Sequence, residues 1–230
     1  MSASTATTSS ASHTRQNHSA LASLETRVLV WIARRLPRLV SPDHLTLLGL
    51  ASMIGVGAAF AASAHDARVL YLVPVLLALN WFGDSLDGTL ARVRDRQRPR
   101  YGYYVDHVVD VVGAIALFTG LAWSGAMQPL VAMALLVAYV AVMAEVFLAT
   151  HVTRVFRLTS FRFGPTELRI VLAVGAIALI GRPLVRVPGV GPVPLFDVGG
   201  IVAIAGLAAA FLVSAWRTAT ALAREERLPS

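Results

Sequence analysis

Residues 84–110 read DSLDGTLARVRDRQRPRYGYYVDHVVD and place two pairs of aspartates on either side of an arginine-rich turn. Asp84 and Asp87 are three residues apart, and Asp106 and Asp110 are four apart, so each pair shares one face of a helix. When the chain folds back at the middle of the turn, Asp87 comes level with Asp106, and Asp84 comes level with Asp110. The stretch therefore predicts a helical hairpin that gathers four carboxylates in one layer.

The rest of the chain is strongly apolar. Of its 230 residues, 56% are hydrophobic and 14% are charged, and the mean hydropathy is +0.66. Soluble domains carry about 25% charged residues, and a soluble globule this apolar would expose too much hydrophobic surface to stay dispersed. The absence of cysteine excludes disulfides, zinc thiolate sites and thiol nucleophiles. We predict an all-α integral membrane protein with six transmembrane helices of about 20 residues each.

The chain divides into two tails, a surface helix and a membrane domain. We expect residues 1–20 to form a disordered cytosolic tail and residues 224–230 to form a second one. Residues 21–38 mix apolar side chains with arginines, which is typical of an amphipathic helix at the membrane interface with its arginines toward lipid phosphates. The six-span domain then occupies residues 41–223.

The apolar stretches of this domain predict where the chain crosses the membrane. Ser41 is a suitable N-cap and Pro42 suits the first helical position, so the first span begins just after them. Residues 182–196 contain four prolines, which exclude a continuous helix and predict a loop at one membrane face. The predicted spans lie at about residues 44–64, 68–93, 102–124, 127–152, 166–181 and 198–222.

The arginines predict the orientation. The net charge is +7, all 20 basic residues are arginine, and 17 of them fall on one side of the predicted spans. Because basic residues concentrate on the cytoplasmic side of membrane proteins, we predict that both termini and the loop at 93–101 are cytoplasmic. A positive balance in a membrane protein indicates contact with anionic lipid, and no nucleic-acid-binding motif is present.

The Asp cluster (Asp84, Asp87, Asp106 and Asp110) carries a cost that the protein must offset. An aspartate at the centre of a membrane helix costs about 2.5–3.5 kcal/mol, and four neighbouring carboxylates repel one another unless cations lie between them. Clustered carboxylate oxygens select Mg²⁺, Mn²⁺ or Ca²⁺. Four of them can hold two ions, which is the usual arrangement for displacement at phosphorus. The cluster therefore predicts a two-metal site that acts on phosphate.

Small and basic neighbours strengthen this interpretation. Gly88 and Ala91 leave the helix surface bare beside Asp87, Gly102 does the same on the facing helix, and Arg92 can clamp a phosphate. Two other interpretations exist for such residues taken singly. Small residues in membrane helices often permit close helix packing, and lone intramembrane aspartates often serve proton or ion pathways. The full set in register favours a phosphate ligand.

The hairpin resembles the signature of the CDP-alcohol phosphotransferase family. The matching pattern, with a nine-residue spacer, is Asp84-x-x-Asp87-Gly88-x-x-Ala91-Arg92 followed by Gly102-x-x-x-Asp106-x-x-x-Asp110. Residues 41–49 (SPDHLTLLG) look like the start of the family domain, and six spans is the number in the family. The resemblance implies a membrane transferase of phospholipid biosynthesis, which moves a substituted phosphate from a CDP-alcohol to an acceptor alcohol and releases CMP.

The same resemblance implies a role for each signature residue. Two divalent ions, Mg²⁺ or Mn²⁺, are expected on the Asp cluster, and Asp110 is also a candidate base for the acceptor hydroxyl. The residues expected around the CDP moiety are Asp84, Gly88, Ala91, Arg92 and Gly102. The resemblance further implies a homodimer with a CDP-alcohol donor and an alcohol acceptor as partners. From composition and charge we expect membrane lipids as further partners, no nucleic acid, and a location in a bacterial cytoplasmic membrane.

Two further features resemble the choline/ethanolamine phosphotransferase branch. His107 directly follows Asp106, and residues 162–167 (RFGPTE) resemble a Thr-Glu segment of that branch, which implies that His107 and Glu167 help to activate the acceptor hydroxyl. Two alternatives stay open. His107 is equally suited to hydrogen-bonding a metal-bound aspartate, and Glu167 is suited to stabilising a helix N-terminus. We expect Glu145, in the fourth span, to pair with Arg154 or His151.

The donor and the function class also leave alternatives. The donor is either CDP-diacylglycerol with a polar acceptor, or a soluble CDP-alcohol such as CDP-choline or CDP-ethanolamine with a lipid acceptor. Four arginines either bind a phosphorylated acceptor or only mark the cytoplasmic side: Arg154, Arg157, Arg162 and Arg169. An ion or proton transporter and a noncatalytic membrane scaffold are the competing functions. The charges gather at one hairpin without an internal repeat, which disfavours a transporter, and no signature aspartate is lost.

Overall fold

The computed structural model describes residues 20–153 and 165–226. Of these described residues, 83% are helical, which confirms the predicted helical architecture of an integral membrane protein. The elements in chain order are α1 (Ala20–Arg35), α2 (Pro42–Ala62), a 3-10 helix (Ala67–Tyr71), α3 (Leu72–Val93), α4 (Pro99–Ser124), α5 (Pro129–Thr153), α6 (Pro165–Gly181), β1 (Leu184–Val187), β2 (Gly191–Pro194) and α7 (Leu195–Glu225).

Within the described residues, five segments are long and apolar enough to cross a membrane: α2, α3 with its preceding 3-10 helix, α4, α5 and α7. The fifth predicted span corresponds to α6, whose 17 residues fall short of the roughly 20 needed to cross the hydrocarbon core. The count of six spans therefore stays a prediction. The predicted tails fall mostly outside the described residues, although α7 continues to Glu225 and so includes the first two residues of the second tail.

Helix α2 lies at the centre of the fold, between α3 and α4. The crossing with α4 is a backbone contact, because a Cβ placed on Gly57 would collide with the carbonyl of Ala116, and one placed on Gly120 would collide with the carbonyl of Gly57. Small residues permit this approach in membrane helices. Phe60 and Leu121 are fully buried on either side of the crossing. The packing brings the ends of α2, α3 and α4 together at the hairpin.

The helix predicted for residues 21–38 is present as α1. Its buried residues, Leu29 and Ala33, belong to a small core that also contains Leu86 and Leu90 of α3. Its other face leaves Trp31 56% exposed, with the guanidinium of Arg35 stacked 3.9 Å from the indole ring. The helix thus has the amphipathic character that the sequence predicts, and its apolar face packs against α3.

Arg94 fixes the end of α1 to the end of α3. Its guanidinium donates hydrogen bonds to the carbonyls of Leu36 and Pro37, each at 2.9 Å, and to the carbonyl of Val40. These carbonyls belong to the residues that connect α1 to α2. Arg94 therefore ties the end of α3 to the segment that connects α1 and α2.

The sequence predicts only a loop over residues 182–196, whereas the structure has an antiparallel β-hairpin over residues 184–194 and begins α7 at Leu195. Val185 pairs with Val193 and Val187 pairs with Gly191. Gly189 has a φ of 81°, a left-handed conformation that glycine adopts without strain. The prolines exclude a helix, as predicted, but they leave enough donors and acceptors for a short ladder.

Candidate active site

The Asp cluster lies at the end of the fold where α3 enters the arginine-rich turn and α4 leaves it. Asp84 and Asp87 are in the last turns of α3, and Asp106 and Asp110 are in the first turns of α4. Asp106 and Asp110 both interact electrostatically with Asp84, and Asp87 interacts with Asp84 and Asp106. The hairpin thus makes neighbours of the four carboxylates, while the roles assigned to them remain predictions.

Asp87 is the buried member of the cluster, with 9% of its surface exposed. Its Oδ2 accepts a hydrogen bond of 2.6 Å from the Thr46 hydroxyl of α2, and its Oδ1 accepts one from the backbone N–H of Gly88. A buried carboxylate needs such donors to offset its lost hydration. The sequence analysis did not identify Thr46, although it lies within the segment 41–49 that resembles the family.

Asp84 is held by an arginine from a different helix. Nη2 of Arg169, in α6, donates to Oδ2 of Asp84 at 2.7 Å, and Nε of Arg169 donates to Oδ1 of Asn80 at 2.8 Å. Asn80 in turn donates from Nδ2 to the Gly49 carbonyl of α2 at 2.9 Å. Of the four arginines considered for an acceptor pocket, Arg169 lies at the Asp cluster, and the other three lie outside the described residues. Asn80 has no motif that would have indicated it.

The two glycines of the signature, Gly88 and Gly102, lie beside space that is not filled by neighbouring helices of the described structure. A Cβ on Gly88 would meet only the Nη1 atom of Arg92, at 3.5 Å, and a Cβ on Gly102 would have no neighbour within 4 Å among the described residues. This differs from Gly57 and Gly120, where two helix backbones touch. Close helix packing therefore does not explain these two glycines. Arg92 is exposed and donates to the Thr89 hydroxyl at 3.0 Å, and Ala91 is half-buried beside it.

His107 points toward α5. Its Nδ1 lies 2.6 Å from the Tyr103 carbonyl, and its ring packs edge-on against Phe147 at 4.7 Å between centroids. A carbonyl only accepts, so Nδ1 carries the hydrogen and a neutral His107 keeps its lone pair on Nε2. His107 also lies close enough to Asp106 to interact with it electrostatically. Both interpretations of His107 remain compatible with this geometry.

The two glutamates occupy different environments. Glu167 is exposed in the first turn of α6, the position that the helix-dipole interpretation requires. Glu145 is buried with 8% of its surface exposed, and it accepts a long hydrogen bond of 3.4 Å from the Thr218 hydroxyl of α7. Of its two expected partners, His151 forms no ion pair with it in the described part of the chain, and Arg154 lies outside that part.

The donor set of the Asp cluster fits a divalent cation by chemistry, because it consists of mutually repelling hard oxygen ligands. Within residues 20–153 and 165–226, however, no three acidic or histidine side chains converge closely enough to hold a metal ion. Asp84 is engaged by Arg169 and Asp87 by Thr46. The carboxylates are thus gathered but do not share one coordination sphere in this arrangement.

Comparison with known proteins identifies the family. The sequence profile described as CDP-alcohol phosphatidyltransferase matches residues 39–216. The chain belongs to the CDP-alcohol phosphatidyltransferase family. Membership confirms the resemblance found in the hairpin, and the description of the family agrees with the predicted transferase of substituted phosphate groups.

Phosphatidylinositol phosphate synthases are among the relatives found. The enzyme of this name from Streptomyces avermitilis is 36% identical over 98 residues, which span 42% of this chain and 38% of that protein. The crystal structure of the Mycobacterium tuberculosis enzyme with CDP-DAG bound has a TM-score of 0.62 and 22% identity, covering 84% of this chain and 94% of that one. A second structure of it, with manganese and citrate, has a TM-score of 0.62 and 24% identity, covering 84% and 89%. These structures confirm the fold of a membrane enzyme, while the resemblance to the choline/ethanolamine branch stays a prediction.

Proposed function

We propose that this protein transfers a phosphatidyl group from CDP-diacylglycerol to a polar acceptor alcohol and releases CMP. The observation that carries the proposal is the complete family signature folded into one hairpin, with its four carboxylates as neighbours and open space beside Gly88 and Gly102. The donor bound in the Mycobacterium tuberculosis structure supports CDP-diacylglycerol over a soluble CDP-alcohol.

The chain's own residues divide the work of binding and proton transfer. Arg92 and the open surface at Gly88, Ala91 and Gly102 are proposed to receive the CDP moiety. The Asp cluster is proposed to hold two divalent ions, Mg²⁺ or Mn²⁺, and the manganese complex of the structural relative supports this choice. When bound, the metal supplies positive charge that neutralises the diphosphate and stabilises the leaving CMP.

The acceptor hydroxyl needs a group that takes its proton as it attacks the phosphorus distal to cytidine. Asp110, which interacts electrostatically with Asp84 and Asp87 of the cluster, is the proposed base, and His107 Nε2 is the other candidate on the same helix. Glu167 lies in the first turn of α6, two residues before Arg169. It is a candidate for the base only if the acceptor extends toward α6.

A phosphorylated polyol is the acceptor class that best suits the site. Arg169 brings a guanidinium to the Asp cluster, and guanidinium groups bind phosphate bidentately. The names of the relatives found, phosphatidylinositol phosphate synthases, support an acceptor of this class.

The arrangement in the membrane is also part of the proposal. With the six predicted spans, 17 of the 20 arginines fall on the side of the Asp cluster, and this distribution supports a cytoplasmic active site with both termini in the cytoplasm of a bacterial cell. A homodimer, in line with the family resemblance, is the proposed assembly.

Lipid profiling of a host that expresses the protein tests the function and names the product. We expect a new phosphatidyl lipid with the wild-type chain and none with Asp110→Asn, although both proteins insert in the membrane at equal levels. The matched control is Asp66→Asn, the same substitution at the N-cap of the 3-10 helix, outside the Asp cluster. An unchanged lipid profile with the wild-type chain, or an identical new lipid with Asp110→Asn, would contradict the proposal.

A further inference from the structure

Arg169 places a protein cation inside the Asp cluster. Its side chain is only 16% exposed, and besides its ion pair with Asp84 it interacts electrostatically with Asp110. Arginine keeps its charge at all accessible pH values. Positive charge therefore already occupies part of the region where the proposed metal ions would bring theirs.

Asn80 determines where this guanidinium points. The side-chain amide donates from Nδ2 to the Gly49 carbonyl at 2.9 Å, which leaves Oδ1 free to accept from Nε of Arg169 at 2.8 Å. Both bonds require the same orientation of the amide, so they reinforce each other. Since the guanidinium is planar and rigid, fixing Nε against Asn80 aims Nη2 at Asp84.

We propose that Asn80 is a positioning residue that holds Arg169 on Asp84, and that this ion pair competes with the divalent metal for the Asp cluster. The inference rests on the proposed function, because it takes the cluster as the metal site. While the pair is closed, no three acidic or histidine side chains among the described residues converge to ligating distance. A divalent ion that binds among the same carboxylates repels the guanidinium, so each cation weakens the binding of the other.

Manganese binding to the purified full-length protein in detergent, measured by electron paramagnetic resonance of free Mn²⁺, tests this competition without any turnover. We expect Arg169→Gln to bind Mn²⁺ roughly three- to fivefold more tightly than the wild-type chain, because a partly exposed ion pair is removed as competitor. Asn80→Ala should bind Mn²⁺ more tightly by a smaller factor, since Arg169 remains but is no longer aimed.

The matched control is Ser52→Ala. Its hydroxyl bonds the Leu48 carbonyl within α2, beside Gly49 but without contact to Arg169, so its Mn²⁺ affinity should equal that of the wild-type chain. Unchanged or weaker Mn²⁺ binding in both Arg169→Gln and Asn80→Ala would overturn the competition. Asp84→Asn separates the two claims: if it fails to weaken Mn²⁺ binding, the metal site of the proposed function is wrong.

Discussion

At the residue scale, the hydroxyl of Thr46 is the feature that sequence patterns alone missed and the structure supplies. Thr46→Val keeps the shape of the side chain but removes the donor to Asp87. Groups that orient a metal-binding carboxylate typically change metal affinity or activity by 10- to 100-fold when they are lost. We expect a loss of about that size in the rate of CMP release, with the Mn²⁺ affinity lowered in parallel.

The control for this variant is Thr220→Val, whose hydroxyl bonds only carbonyls of its own helix. It should retain wild-type activity. Equal activity of Thr46→Val and Thr220→Val would show that the hydrogen bond to Asp87 has no part in the reaction.

Substitution of His107 distinguishes its two possible roles, as the base for the acceptor hydroxyl or as a group that supports Asp106. If Nε2 is the base, His107→Ala lowers the maximal rate by about 100-fold or more, which is the usual contribution of general base catalysis. If His107 only supports Asp106, the substitution acts mainly on the metal concentration required. A rate measured at saturating Mn²⁺ distinguishes these results, and near-normal turnover there would remove His107 as the base.

The candidate site was predictable residue by residue only where residues share a helix. The spacing of Asp84 with Asp87, and of Asp106 with Asp110, fixes a common face, and the turn between them fixes the register of the hairpin. Thr46 and Arg169 enter from other helices through packing, which no local spacing encodes. Asn80 shares α3 with Asp84, but no motif marks it, and its role depends on contacts with Gly49 and Arg169 of other helices.

At the element scale, the crossing of α2 and α4 determines where the two halves of the Asp cluster meet. Gly120→Ala would push a methyl group into the Gly57 carbonyl, and overpacking of this kind costs about 1–3 kcal/mol. We expect a lower apparent melting temperature in detergent. Gly206→Ala in α7, where a Cβ has no neighbour within 4 Å, is the matched control and should not lower it; equal stability of the two variants would contradict the backbone contact.

The helices followed from the sequence to within a few residues, and the β-hairpin is the element of the described structure that was not predicted. Pro99 begins α4 three residues before the predicted start of its span, because proline suits the first helical position. The hairpin at Leu184–Pro194 formed where only a loop was predicted, because its pairing depends on a turn at Gly189 and not on a hydrophobic period.

At the scale of the whole molecule, the absence of cysteine makes the predicted orientation directly testable. A single cysteine at Arg96, in the turn before α4, should resist a membrane-impermeant thiol reagent in intact cells and react after lysis. A single cysteine at Val190, which is 72% exposed in the β-hairpin, should react in intact cells. The reverse pattern would place the Asp cluster on the opposite side of the membrane.

The central claim is that the Asp cluster carries out metal-dependent phosphatidyl transfer, and CMP release by the purified protein tests it most directly. With CDP-diacylglycerol, a phosphorylated polyol and Mn²⁺ or Mg²⁺, we expect CMP release that stops on chelation of the metal. Asp106→Asn and Asp110→Asn should abolish it, and Asp66→Asn should retain it. CMP release that persists without divalent metal, or at wild-type rate in either cluster variant, would contradict the account.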